Sequence, residues 1–363
     1  MSGARQPFCG ILNVDKPLGW TSHDVVALVR RLSGQRQVGH AGTLDPLATG
    51  VLLVTLGAAT RLAEYLMHGR KCYLARVRLG IRTTTDDAEG QVMLTRPTDG
   101  LTRARVIAAL AGFRGAIRQV PPSYAAIKQG GVPAYTLARQ GKAAELPART
   151  GRIDGLALLS AAARSEADVL DILVWCSAGT YILALARDLG EVLGCGGYLQ
   201  ALRRLSSGSF GVEGAVGVTA LRRLAAEGRL HERLHPMDDA VASWPALVVD
   251  DMSVAAVQHG QAITASEAGD RRPTPCPEGT RAADAARSGA TGDSGASFLP
   301  PAAGRLPPDQ ARIYARHGRL LALARYDARR QAWQPWKVLA PAGLSAEGRP
   351  VSTAEPGPST PPG

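Results

Sequence analysis

One short stretch of the chain surrounds a single carboxylate with residues that fix the backbone. Residues 39–50 read GHAGTLDPLATG, and Asp45 is the one acid among them. Three glycines and one proline favour a structured loop over a helix or strand. The apolar residues 51–56 that follow predict a buried strand, which would brace the loop. A carboxylate held in this way can be placed accurately enough for catalysis. The simpler alternative is an aspartate that caps its own turn.

The sequence of this loop resembles the catalytic loop of the pseudouridine synthases that modify uridine 55 in the T-loop of tRNA. The resemblance implies that Asp45 is the catalytic carboxylate, acting either as a nucleophile at C1′ or as a base at C2′. It also implies that His40 helps to open the T-loop by filling the space that the flipped-out uridine leaves. A loop histidine bonded to backbone is the alternative for His40.

Two further segments supply candidates for substrate binding. Residues 9–19 resemble the first strand and the Lys-Pro turn of the family, which implies that Lys16 lies near the active site; a solvated turn lysine is the alternative. Residues 71–82 alternate between apolar and mostly basic side chains, which predicts a strand with one buried face. Tyr73 lies on that apolar face, either as a core residue or, as in the family, stacked on the flipped uracil.

A later segment departs from the family at a position that bears on catalysis. Residues 168–190 resemble the family's Gly-Thr-Tyr-Ile-Arg segment and the helix after it, and Tyr181 matches a second family tyrosine. The family arginine that pairs with the catalytic aspartate is replaced here by Leu183. Without that cation, the pKa of a desolvated Asp45 should rise. Arg187 lies one helical turn further on and is a candidate substitute; the other possibility is a site that tolerates the leucine.

Basic side chains in two regions are candidates for contacts with RNA phosphates. Residues 120–152 resemble the insertion that closes on the tRNA stem-loop in the family, and residues 194–205 complete the resemblance. A solvated charged face is the alternative for these side chains. The candidates are Lys128, Arg139, Lys142, Arg149, Arg152, Arg203 and Arg204. Leu202, beside the last two, matches a family residue that packs on the bound base; a core leucine is the alternative.

The composition agrees with a polyanionic partner. The chain carries 42 basic and 31 acidic residues, a formal net charge of +11. Such a charge favours approach to nucleic acid and predicts an affinity that falls with salt, although GC-rich coding also explains an excess of arginine. The expected partner is the T-stem-loop of tRNA, bound by a monomer that requires no protein partner and no membrane.

The cysteines do not form the pattern of a metal site. The five cysteines contain no C-x-x-C, which predicts reduced thiols in the cytoplasm and no metal. No apolar run predicts a membrane span or a secretion signal. The resemblance implies that no cofactor is needed, because the reaction breaks and re-forms one glycosidic bond without oxidation or a leaving group.

The length and the segment order predict an α+β protein with two domains. Residues 8–240 would form a catalytic domain with the pseudouridine synthase fold, a central mixed and largely antiparallel sheet flanked by helices. Residues 244–340 would form a small RNA-binding β-barrel, because short strands alternate there with turn signals. Residues 266–309 within it and the tail 341–363 are rich in Ala, Gly, Pro and Ser and are predicted to be disordered.

The function predicted from these features is the isomerisation of uridine 55 in tRNA to pseudouridine, with flipping of the base and catalysis by Asp45. An alternative is a tRNA-binding folding factor whose chemistry is weak or lost, because Leu183 replaces the active-site arginine. A third is the guide-RNA-dependent relative found in archaeal and eukaryotic complexes. Leu47 and Ala48 within the loop, together with the short C-terminal domain, favour the stand-alone enzyme.

Overall fold

The computed structural model describes two compact units, Met1–Ala240 and Val241–Gly363. The described residues are 8–122, 128–129, 132–133, 146–161, 168–264, 268–271 and 309–339. The predicted disordered tail 341–363 lies outside these residues. Most of the predicted disordered segment 266–309 does so as well, and the exceptions are Ala268–Arg271 and the last residue, 309.

Six α-helices occur in the described part of the chain. They are α1 (Ser22–Ser33), α2 (Ala63–His68), α3 (Arg103–Ala111), α4 (Ile182–Leu193), α5 (Val218–Ala226) and α6 (Asp251–Gln258). None of these helices has both the length and the apolar character that crossing a membrane requires.

The same residues contain twenty-one strands, several of only two residues. They are β1 (Gly10–Lys16), β2 (Val38–Ala41), β3 (Ala48–Leu56), β4 (Lys71–Leu79), β5 (Ile81–Thr83), β6 (Val92–Thr95), β7 (Gly115–Gln119), β8 (Lys128–Gln129), β9 (Val132–Pro133), β10 (Arg149–Ala161), β11 (Val169–Cys176), β12 (Gly197–Ser207), β13 (Phe210–Gly211), β14 (Val216–Gly217), β15 (Leu234–His235), β16 (Ala246–Val249), β17 (Ile263–Thr264), β18 (Ala268–Arg271), β19 (Gln310–Ala315), β20 (Leu320–Asp327) and β21 (Ala332–Val338).

A mixed sheet forms the centre of the first unit, in the order β14-β1-β3-β12-β4-β11-β10-β7. The pairs β1–β14 and β3–β12 are parallel and the other neighbours in this order are antiparallel. Helices α1 and α4 bury apolar side chains such as Val29 and Leu189 against the sheet. The predicted α+β fold with a largely antiparallel central sheet is therefore confirmed.

Helix α1 begins at a capping box that also anchors the loop carrying Asp45. The Thr21 hydroxyl accepts a hydrogen bond from the Asp24 amide at 3.1 Å, and the Asp24 carboxylate accepts one from the Thr21 amide at 2.8 Å. The next side chain, Ser22, is buried and bonds both backbone groups of Leu44, accepting from the amide at 2.9 Å and donating to the carbonyl at 3.0 Å. The start of the helix thus fixes the residue before Asp45.

A glycine sets the close approach of β3 to β12 where the loop ends. Gly50 has φ of +97°, and a Cβ built there would lie 2.2 Å from the Arg204 carbonyl oxygen. No other residue type fits this contact or this backbone conformation without strain. The parallel pairing of these two strands therefore depends on Gly50.

The predicted RNA-gripping insertion ends inside the central sheet. Arg149–Ala161 forms strand β10, and its first five residues pair with β7. Residues 123–127, 130–131 and 134–145 lie outside the described residues. The C-terminal end of the predicted insertion is consequently a strand.

The second unit contains a six-stranded sheet in the order β17-β21-β20-β19-β16-β18, with α6 beside it. Its core includes Val249, Val257, Ile313 and Leu321. Strand β18 falls within the segment predicted to be disordered, and for these four residues that prediction is wrong. Antiparallel pairing with β16 supplies backbone hydrogen bonds that the composition of the segment does not signal.

Candidate active site

The Asp45 loop is shorter than the sequence predicted. Strands β2 and β3 pair as a hairpin, with His40 opposite Val54, so that only residues 42–47 connect them. His40 therefore lies on a strand at the entrance to the loop. The prediction of a twelve-residue loop was wrong at both ends, because backbone pairing extends the strands into the Gly- and Thr-containing flanks.

Backbone atoms on both sides of Asp45 are held by distant parts of the unit. The Gly42 carbonyl accepts a hydrogen bond from Arg204 at 2.9 Å, and Leu44 is bonded to α1 as described above. The Pro46 carbonyl accepts hydrogen bonds from the Gly19 amide at 2.9 Å and from the Lys16 ammonium at 3.4 Å. The loop is thereby tied to β1, α1 and β12, which places Asp45 accurately.

Asp45 is open to solvent, yet enough protein surrounds it to change its ionisation. Desolvation raises the pKa of this carboxyl above its ordinary value, and repulsion from Asp87 and Glu89 adds to that rise, while Lys16 opposes it. Among the residues that the structure describes, Asp45 forms no ion pair. The pKa of Asp45 is therefore raised, as predicted, and burial is the largest cause.

The acidic residues facing Asp45 were missed by the sequence interpretation. They belong to the turn between β5 and β6, where the Thr83 hydroxyl donates to the Asp87 carbonyl at 2.7 Å and the Glu89 amide donates to the Asp87 carboxylate at 3.0 Å. The Leu199 amide on β12 holds this turn by donating to the Asp86 carbonyl at 2.9 Å. Three acids within four residues of a Thr-rich turn were the signal available in the sequence.

Lys16 is completely buried, which excludes the solvated turn lysine. Its ammonium donates to the carbonyl oxygens of Pro17, Trp20 and Pro46. Burial lowers the pKa of Lys16 to about 8, Asp45 raises it and Arg204 lowers it further. The structure thus joins Lys16 to the Asp45 loop through the Pro46 carbonyl.

Arg204 is buried and cannot serve as the predicted phosphate contact, so that prediction was wrong. The residue is 1% exposed, and its guanidinium donates to the carbonyl oxygens of Val51 at 2.6 Å and Gly42 at 2.9 Å. It is also hydrogen-bonded to the Tyr73 side chain. Successive side chains on a strand point to opposite faces, so a pair of adjacent arginines on β12 cannot share one surface.

Arg203 faces the other way and pairs with an acid. Its guanidinium donates to both carboxylate oxygens of Asp15, at 2.8 and 3.1 Å, and both side chains are partly exposed. The charge predicted to meet RNA phosphate is therefore already matched by Asp15. Leu202, just before it, is buried and lies opposite Ala48 at the end of the Asp45 loop.

The two candidate tyrosines lie on different elements, and the charge of Asp45 raises the hydroxyl pKa of both. Tyr73 is buried on β4; burial raises the pKa of its hydroxyl, Arg204 opposes the rise and Asp45 adds to it. Tyr181 immediately precedes α4 and exchanges backbone hydrogen bonds with the Gln119 amide group at 3.0 and 3.1 Å. Burial also raises the pKa of Tyr181, Arg149 lowers it and Asp45 raises it. The structure therefore brings both rings within electrostatic range of the carboxylate.

Neither Leu183 nor Arg187 supplies a cation to Asp45. Leu183 is half-buried and packs against the core. Arg187 pairs with Asp86 at 3.0 Å and Asp188 at 2.9 Å and donates to the Val120 carbonyl at 3.1 Å. Arg187 is therefore not the substitute that the helical spacing allowed.

His40 contacts His23 edge to face, with ring centroids 5.4 Å apart. Burial lowers the pKa of His40, and its Nδ1 atom has no hydrogen-bond partner among the described residues.

The predicted phosphate contacts in the insertion lie partly outside the described residues. Arg149 and Arg152 are exposed on β10, and Arg152 pairs with Asp154 at 2.9 Å. Lys128 lies on the two-residue strand β8, and Arg139 and Lys142 lie outside the described residues. Within the described ranges, no three His, Cys, Asp or Glu side chains are arranged to hold a metal ion.

The mixed sheet and the anchored Asp45 loop agree with the class of pseudouridine synthases, and comparison with protein families establishes that class. The model of the TruB family pseudouridylate synthase N-terminal domain matches residues 30–182, and that of the tRNA pseudouridylate synthase B C-terminal domain matches residues 184–242. The chain belongs to this TruB family.

Individual relatives agree with that assignment. A protein named tRNA pseudouridine synthase B from Mycobacterium sp. (strain KMS) is 48% identical over 255 residues, which cover 70% of this chain and 84% of that protein. The protein of the same name from Thermobifida fusca (strain YX) is 48% identical over 263 residues, covering 71% and 87%. A chain from the crystal structure of a Cbf5-Nop10-Gar1 complex is 26% identical, with a TM-score of 0.63 over 92% of this chain and 85% of that one.

Proposed function

We propose that this pseudouridine synthase isomerises uridine 55 in the T-loop of tRNA, with Asp45 as the essential carboxylate. The observation that carries the proposal is the Asp45 loop, which is anchored on both sides and whose carboxylate acts on the ionisation of both Tyr73 and Tyr181. The relatives named tRNA pseudouridine synthase B support tRNA as the substrate.

The reaction exchanges one bond for another within the same nucleotide. The N1–C1′ bond breaks, the uracil turns, a C5–C1′ bond forms, and the proton lost from C5 is balanced by one gained at N1. Asp45 either attacks C1′ or removes the proton at C2′, and both routes require the ionised carboxylate. In this proposal Tyr73 stacks on the flipped base and His40 fills the space it leaves. Leu202 packs against the base and Tyr181 completes the pocket.

In this proposal the insertion holds the RNA through its basic side chains, which are Lys128, Arg139, Lys142, Arg149 and Arg152. Of these, Arg149 and Arg152 are exposed on β10. Guanidinium groups grip phosphate well. We place the protein in the cytoplasm as a monomer that works without guide RNA, protein partner or cofactor.

One observation favours a second candidate, a tRNA-binding folding factor. Asp45 has no ion-pair partner among the described residues, and the family arginine is replaced by Leu183. Weakened chemistry with intact RNA binding would follow if no other group balances the carboxylate.

The test is incubation of the purified protein with unmodified tRNA transcript alone, followed by mapping of pseudouridine. A transcript with cytidine at position 55 is the control for the site. Pseudouridine at position 55 without guide RNA supports the proposal. Binding of the transcript without any pseudouridine favours the folding factor, and activity that appears only with a guide RNA favours the guide-dependent class.

A further inference from the structure

The surroundings of Asp45 carry more negative than positive charge. Asp87 and Glu89 both repel the carboxylate. This chain has Leu183 at the position where the resemblance described above implies an arginine. Ionised Asp45 is required by either route of the proposed reaction. Some cation must therefore offset these carboxylates if the site works near neutral pH.

The nearby arginines are engaged with other groups. Arg187 pairs with Asp86 and Asp188, and Arg203 pairs with Asp15. Arg204 donates to the Gly42 and Val51 carbonyls and to Tyr73. Lys16 is the cation that lowers the pKa of Asp45.

The geometry of Lys16 suits this purpose. Its side chain is 0% exposed, and the hydrogen bonds of its ammonium all end on neutral carbonyl oxygens. A buried ammonium without a bonded carboxylate keeps its full charge available to groups nearby. The Pro46 carbonyl at 3.4 Å belongs to the residue next to Asp45, so the same side chain also fixes the backbone of the loop.

We propose that Lys16 is a positioning residue that keeps Asp45 ionised and holds its loop in place, in the role left vacant by Leu183. The proposal rests on the proposed function, since it assigns a further residue to that same site. The charged and titratable groups that face Lys16 are Asp45, Asp24 and Arg204. Those that face Asp45 are Asp87, Glu89, Lys16, Tyr73 and Tyr181.

Lys71 provides a matched control for the removal of a buried lysine. It is 6% exposed, burial lowers the pKa of its ammonium to about 8, and it also donates to backbone carbonyls, those of Met67 and Gly69. Its charge is not among those that shift Asp45. Lys16→Met and Lys71→Met therefore remove equivalent groups, of which only one acts on the catalytic carboxylate.

The first measurement needs no substrate. Titration of the carboxyl ¹³C signals of Asp-labelled full-length protein, with the Asp45 signal assigned from its absence in Asp45→Asn, should give a pKa for Asp45 about 1 higher in Lys16→Met than in the parent. Lys71→Met should leave that pKa unchanged. An unshifted Asp45 pKa in folded Lys16→Met, or an equal shift in both variants, overturns the proposal.

The second measurement is the single-turnover rate of pseudouridine formation as a function of pH. In Lys16→Met the acid limb of the pH–rate profile should move to higher pH. The rate on that limb should fall roughly tenfold, with little change in tRNA affinity. Leu183→Arg should restore the limb in the Lys16→Met background, whereas in the parent it should change the rate by less than about threefold. Failure of the rescue contradicts the proposal.

Two controls keep the outcomes distinct. If Lys16→Met does not fold, the proposal is tested by Leu183→Arg in the parent protein. A tenfold or larger gain in rate in that variant would contradict the proposal, because it would mean that the parent lacks an effective cation near Asp45. If the parent forms no pseudouridine at all, the proposed function fails, while the carboxyl titration still tests the link between Lys16 and Asp45.

Discussion

At the scale of single residues, the site is governed by how burial and charge set the ionisation of one carboxylate. Desolvation raises the pKa of Asp45, and Asp87 and Glu89 reinforce the effect while Lys16 limits it. In the proposal made above, the charge of Lys16 keeps the carboxylate ionised. The pH dependence of both activity and stability should report this arrangement.

The raised pKa of Asp45 carries a stability penalty with a definite sign. The folded state binds the proton more tightly than the unfolded state, so stability falls as pH rises from the ordinary carboxyl pKa through the raised one. Asp45→Asn should therefore unfold at a higher temperature than the parent at pH 7. The gap in melting temperature between the two proteins should narrow as the pH is lowered toward 4. A gap that widens in acid would mean that the pKa of Asp45 is lowered in the folded protein.

At the scale of elements, the Asp45 loop is positioned by β1, α1 and β12. The capping box that begins α1 could be predicted from Thr21 and Asp24, because its residues are adjacent in sequence. The role of Ser22 could not, since its partner is Leu44, twenty-two residues away. A short sequence pattern can predict a hydrogen bond between neighbouring residues. It does not predict a contact between segments that are distant in the sequence.

The same reasoning explains how the candidate site residues were chosen. Asp45 and Tyr73 are candidates because their segments resemble the family, whereas the alternation along β4 predicts only that Tyr73 is buried. Arg204 was assigned to the surface because an arginine is usually exposed, whereas here its guanidinium is satisfied by buried carbonyls. The acidic turn containing Asp87 was missed because its distance from Asp45 depends on the pairing of β5 with β6 and on the contact with β12.

The link between α1 and the loop can be tested by one substitution. Ser22→Ala removes both hydrogen bonds to Leu44 and leaves two backbone groups unsatisfied in the interior, at a cost of about 1–3 kcal/mol in unfolding free energy. The single-turnover rate should fall as well, because the residue before Asp45 loses its anchor. Ser33→Ala, at the other end of the same helix, is the control and should change both quantities much less. Equal effects of the two variants in chemical denaturation and in rate would contradict the link.

At the scale of the whole molecule, the net charge of +11 sets the expected behaviour toward RNA. Exposed arginines whose charge is not matched locally should release counterions from the phosphates when they bind. Arg149 is exposed at the start of β10, within the predicted insertion, while Arg229 forms ion pairs with Glu227 and Glu232. Replacing either arginine by alanine changes the net charge by the same amount. The two differ because acidic neighbours neutralise Arg229 within the protein.

The salt dependence of tRNA binding should separate these two arginines. For the parent, the logarithm of the association constant should fall steeply with the logarithm of salt concentration. Arg149→Ala should reduce the magnitude of this slope by about 1, as expected for one lost phosphate contact. Arg229→Ala should leave it nearly unchanged. Filter-binding titrations at several salt concentrations provide the slopes, and a flat response for the parent would argue against nucleic acid as the partner.

The central proposal for this protein is that Asp45 is the carboxylate that isomerises uridine 55. The measurement is pseudouridine formed at position 55 of unmodified tRNA transcript under single-turnover conditions, by the parent and by Asp45→Asn. We expect modification by the parent and a loss of more than about a hundredfold in the variant, with tRNA affinity retained within a few-fold. Turnover by Asp45→Asn close to the parent rate would contradict it.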